Sequence, residues 1–130
     1  MQRSEGVKQT LQRFYDAFTA NDPKAFEDDV LTTQQEATAI GTAPHEWHLG
    51  RDKLLQEFGM EGVTLHGGDA EAWEEGTVGW FADRATFTLP DGSAIQCRVT
   101  GVMRNEDVGW RIVQAHFSVG IADEEAAEQA

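Results

Sequence analysis

The sequence predicts an α+β fold, with helices packed on one face of an antiparallel sheet. Three observations carry the prediction. The last third contains long extended stretches, Thr77–Leu89, Ser93–Arg104 and Trp110–Val119, separated by the turn sequences Pro90-Asp91-Gly92 and Asn105–Gly109. Short turns between extended stretches imply an antiparallel meander. The first third instead shows helical periodicity, and helices followed by a run of strands is the α+β order.

Within residues 4–20, Val7, Leu11, Phe14, Tyr15 and Phe18 recur at helical spacing, with Gln9, Gln12, Arg13 and Asp16 opposite them. That is an amphipathic helix with Ser4 as its N-cap. Asn21-Asp22-Pro23 ends it and starts a short second helix, in which Asp22 caps, Pro23 fills the first turn, and Phe26 and Val30 reach the core. Residues 36–41 read as a short strand, and residues 42–50 as an irregular loop. A third helix from Arg51 to Met60 buries Leu54, Leu55 and Phe58. Residues 63–66 and 70–75 are strand candidates broken by Gly67-Gly68.

At 130 residues the chain is a single domain, 1–130, with a frayed acidic tail from about residue 122. The formal net charge of −13 opposes binding to phosphate backbones, so nucleic acid is not an expected partner. No apolar run approaches the roughly 20 residues of a membrane span, and the first residues lack the apolar stretch of a signal peptide. The lone cysteine, Cys97, has no internal disulfide partner, which fits a reducing cytoplasm.

Strand alternation sorts side chains into faces. Along the last strand, Val113, Ala115, Phe117 and Val119 form an apolar set, expected under the helices. Trp110, Ile112, Gln114, His116 and Ser118 form a mixed set, expected at a subunit interface. In the two preceding strands both sets are bulky: Phe81, Ala85, Phe87 and Leu89 against Trp80, Ala82, Arg84, Thr86 and Thr88, and Ile95, Cys97, Val99 and Met103 against Gln96, Arg98, Thr100 and Val102. Periodicity does not say which of these sets looks inward.

The densest functional cluster is His45-Glu46-Trp47-His48. Glu46 or His48 could serve as a general base, and two His with one Glu could ligate a metal. Consecutive loop side chains seldom converge, so no metal is expected, and Glu46 bracing the loop while Trp47 packs is the plainer reading. Arg98 could hold a ligand carboxylate, or reach solvent from the strand. His116 near Ser118 lacks an orienting acid and reads as a hydrogen-bonding pair at the interface.

The order of elements resembles the nuclear transport factor 2-like superfamily, and within it the SnoaL-like domains. The resemblance rests on Leu11–Phe26, on Ile40-Gly41-Thr42 with Glu46, Trp47 and Gly50, on Val78–Phe81, and on Gly109–Ser118. It implies a cystatin-like cone, with three N-terminal helices on the concave face of a curved antiparallel sheet. It also implies a pocket at the open end and a homodimer through the convex face. The association domain of calcium/calmodulin-dependent kinases is similar over the last strand, where a pocket arginine falls at Phe117. Ketosteroid isomerases share the first-helix pattern, but their oxyanion-hole tyrosine falls at Phe14 and their general base near Gly41, neither of which could do that chemistry. Tyr15 sits about 100° round the helix from Phe14.

The resulting expectation is a homodimeric protein binding a small hydrophobic or weakly acidic molecule without a cofactor. Its pocket would be lined by Phe14, Phe18, Trp80, Arg98, Thr100 and Phe117, with Trp47 and Glu46 at the rim. Trp110, Gln114, His116 and Ser118 would lie at the interface. The alternatives are a cyclase, dehydratase or isomerase using Glu46, His48 or Arg98, and a non-catalytic scaffold.

Overall fold

Ser4 accepts a hydrogen bond from the Val7 amide at 3.1 Å, satisfying one of the free donors that begin α1 (Glu5–Thr19). Asp22 does the same for Ala25 at the start of α2 (Pro23–Asp29), with Pro23 in its first turn. The computed structural model describes residues 1–128. The remaining elements are β1 (Gln2–Arg3), β2 (Thr38–Ile40), β3 (Trp47–Leu49), α3 (Arg51–Glu57), β4 (Thr64–His66), β5 (Glu71–Glu75), β6 (Val78–Thr88), β7 (Ala94–Glu106), β8 (Gly109–Ser118) and α4 (Asp123–Glu128). No described helix is long and apolar enough to cross a membrane.

One curved open sheet runs in the order β1-β5-β6-β7-β8-β2-β3, and β4 pairs with β6 beyond the end of β5. Helices pack on one face of it. The expected meander is β6-β7-β8, antiparallel throughout. The sheet as a whole is mixed rather than purely antiparallel, because β2 runs parallel to β8. The expected loop 42–50 contributes β3, an edge strand pairing with β2. The third helix stops at Glu57, short of Met60. Asp123–Glu128, expected as a frayed end, form a short helix with every side chain exposed, and the last two residues of the expected tail lie outside the described part.

The core fills the space between α1 and the concave face. Val7 and Leu11 meet Phe81, Val99, Met103 and Ile112 there, all of them buried. This settles the two middle strands: Phe81, Ala85, Cys97, Val99 and Met103 look inward, while Arg84, Arg98 and Thr100 are exposed on the convex side. Burial raises the pKa of the Cys97 thiol, as expected of an inert core cysteine.

The last strand departs from simple alternation. Val102 pairs with Gln114, but the next residue, Met103, pairs with Ile112, so Val113 is an extra residue in a β-bulge. Before the bulge the faces exchange. Ile112 and Trp110 therefore belong to the helix side, where Ile112 is 2% exposed and the Trp110 ring covers the Cα atoms of Gly6 and Gly79. The expected placement of Trp110 and Ile112 on the convex face is thereby corrected. Gln114, His116 and Ser118, beyond the bulge, do lie on the convex side.

Candidate functional site

Six phenylalanines, from α1, α2, the end of α3, β6 and β8, converge at one end of the concave face. Phe14 is 5.7 Å from Phe117 between ring centroids, Phe18 is 5.6 Å from Phe87, and Phe26 stacks on Phe58 at 4.1 Å. Between them and β2 and β3 lies a cavity of about 270 Å³, whose walls are predominantly apolar. Phe14, Phe18 and Phe117 line this cavity. Phe26, Phe58 and Phe87 complete the wall. The first two were legible only as core residues, and Phe87 belonged to a strand whose inward set was undecided.

The polar part of the wall comes from β2, β3 and α3. Glu46 lies just ahead of β3, and its backbone carbonyl accepts from the Gly41 amide at 2.8 Å. Its carboxylate Oε1 accepts from the Ala43 amide at 3.0 Å, so Glu46 does brace the loop, yet it also lines the cavity. Oε2 turns toward Gly41, where a Cβ atom would stand 2.5 Å from it. Only glycine leaves room there. Two residues on, His48 shares the inward face and lines the cavity, with its Nδ1 sealed from solvent and without a hydrogen-bond partner. Trp47, between them, points the other way and is 63% exposed. It is not part of the rim, because a strand alternates its side chains.

Glu57, at the end of α3, completes the polar wall and was not anticipated. Lys53 donates to it at 3.0 Å. That bond, and then the Lys53 charge, hold the Glu57 carboxyl below its usual range, with smaller pulls in the same direction from His48 and His45. His45 itself is exposed. Among the described residues no three His, Cys, Asp or Glu side chains gather as a metal ion would require.

Three further residues expected in the pocket lie on the opposite face. Trp80, Arg98 and Thr100 have the outward parity of β6 and β7, and Arg98 Nε donates to Ser118 Oγ at 3.2 Å on the convex surface. Trp80 pairs with Trp73, whose ring carries the Arg3 guanidinium at 4.7 Å. A pocket arginine at this point would require the strand parity reversed, which would expose Val99 and Cys97.

A second polar cluster lies deeper under α1. Tyr15 donates to Asp83 Oδ2 at 2.7 Å, and the Gly68 amide donates to both Asp83 oxygens at 3.2 Å. Asp83 is 7% exposed. Gly67 and Gly68, in the break between β4 and β5, permit this approach: a Cβ on Gly67 would stand 2.5 Å from the Tyr15 ring, and one on Gly68 2.6 Å from the Arg84 carbonyl. Burial first, then the Asp83 hydrogen bond and charge, push the Tyr15 phenol far above its ordinary pKa. Neither side chain lines the cavity, so this pair fastens helix to sheet. The signal available in the sequence was an acid, Asp83, sharing the parity of Phe81 and Ala85.

A SnoaL-like domain family model matches residues 7–122. Among solved structures, an NTF2-like protein of unknown function from Pseudomonas putida KT2440 superposes with a TM-score of 0.74 at 12% identity, over 92% of this chain and 87% of that one. A protein with a cystatin-like fold from Caulobacter vibrioides gives 0.71 at 13%, over 95% and 93%. A proposed dehydratase of the NTF2-like family from Streptomyces avermitilis gives 0.74 at 16%, over 91% and 96%. None of the curated proteins matches this chain. A sheet curved round α1, a cavity at its open end and a family match over nearly the whole length lead to one statement: the chain belongs to the SnoaL-like domain family, and it has the cystatin-like fold that its NTF2-like structural neighbours share.

Proposed function

We propose that this protein binds a small, largely apolar molecule in the phenylalanine-lined cavity and works as a homodimer through the convex face of its sheet. The cavity carries the proposal: an apolar, concave site with a few polar groups gathered on one side is the usual form of a small-ligand site. The dimer rests on the convex surface, where Trp73, Trp80 and Val102 lie in one row across β5, β6 and β7, with Trp47 and the 60% exposed Leu49 at the sheet edge. A cytoplasmic setting remains part of the proposal, on the strength of the unpaired Cys97.

The test of the cavity is saturable binding of a neutral fluorescent probe, N-phenyl-naphthylamine, to the wild type and to Ala39→Phe, which places a ring in the cavity from β2. We expect binding in the wild type and its loss in the variant, at a retained cooperative melt. Absence of saturable binding to the wild type overturns the reading.

A further inference from the structure

We infer that the ligand of this cavity is a hydrophobic amine, its nitrogen at the Glu46–His48 end and its apolar body among the phenylalanine rings. The inference rests on the cavity reading above and deepens it.

The polar lining is one-sided in chemistry. The ionisable side chains along the cavity are Glu46, His48 and Glu57, with no lysine or arginine among the lining residues. Arg98, the cation that would have suited an acidic ligand, lies on the convex face with Ser118. A ligand carboxylate would therefore be buried beside carboxylates, which is costly.

One acceptor on this wall has capacity to spare. Glu46 Oε1 is taken by the Ala43 amide, while Oε2 stands over the space left by Gly41 with no hydrogen bond described to it. A carboxylate oxygen left open on an apolar cavity wall is a strong acceptor for an ammonium N–H. His48 lines the cavity with its ring, its Nδ1 being sealed beneath the surface.

The rest of the cavity suits the same ligand. Phenyl faces attract cations as well as apolar surface, and Phe14, Phe26, Phe58 and Phe117 all line the space. The net charge of −13 raises the local concentration of cations over anions.

The test compares three ligands of one skeleton, phenethylamine, phenethyl alcohol and phenylacetate, by titration calorimetry at neutral pH. The amine is expected to bind about tenfold more tightly than the carboxylate, as one charge-assisted hydrogen bond allows, with the alcohol between them. Glu46→Gln, which keeps the acceptor for Ala43, should bring the amine down to the level of the alcohol. Gly41→Ala, which displaces the same carboxylate without removing it, should also weaken the preference. Equal or tighter binding of phenylacetate overturns the amine inference and leaves the cavity reading standing. An amine preference untouched in both variants overturns the assignment to Glu46. Binding of none of the three, together with failure of the neutral probe, overturns both readings.

Discussion

Tyr15 and Asp83 stand 68 positions apart and share a buried hydrogen bond of 2.7 Å, the one side-chain hydrogen bond described between α1 and β6. Asp83 has no basic side chain within ion-pairing distance among the described residues, so hydrogen bonds carry the whole burden of holding a carboxylate in the core. Removing the phenol leaves that carboxylate dependent on the Gly68 amide alone. Tyr15→Phe should lower stability by about 1.5–3 kcal/mol, the range for hydrogen bonds to charged groups. Urea denaturation at neutral pH measures it.

The same tyrosine sets an alkaline limit. Its folded pKa lies above the ordinary 10.0 of the unfolded chain, so below pH 10 both states keep the proton and the stabilisation is complete. Above that pH the unfolded state loses the proton first, and stability falls as pH rises. Urea midpoints should therefore decline between pH 10 and 11 in the wild type. The decline should be shallower in Tyr15→Phe, and parallel curves would remove Tyr15 as its source.

Deleting Val113 would close the bulge and leave Gln114 opposite Val102 and Ile112 opposite Met103, so Ile112 and Trp110 keep their places on the helix side. The variant should therefore still fold, with a loss of no more than about 1–2 kcal/mol. Thermal unfolding decides it: disappearance of the cooperative melt would mean that the bulge itself is needed to seat Ile112 and Trp110.

Thr100 lies centrally on the convex face, opposite Ala82 and His116, with Arg84 and Arg98 paired in the next row. In a twofold interface each added charge faces its own copy. Sedimentation at micromolar concentration should give a dimer for the wild type and a monomer for Thr100→Arg. A wild-type monomer would end the dimer proposal.

The order of elements, the caps at Ser4 and Asp22, the three-strand meander and the apolar stripe of α1 were determined by the sequence alone. Each depends on neighbours within a few positions, through side-chain periodicity and turn chemistry. Alternation along the last strand also put Phe117 on the helix side and Gln114, His116 and Ser118 opposite it. Which face each strand presented was decided only by tertiary structure. The sets containing Phe81 and Trp80 are both bulky, and only packing against α1 selected the first, sending Trp80, Arg98 and Thr100 outward. One extra residue at Val113 moved Trp110 and Ile112 to the core, because a strand has period two and an insertion shifts everything before it by one side. The polar wall of Glu46, His48 and Glu57 likewise depends on β3 becoming an edge strand beside β2, a pairing fixed by the parallel contact of β2 with β8 rather than by any local signal.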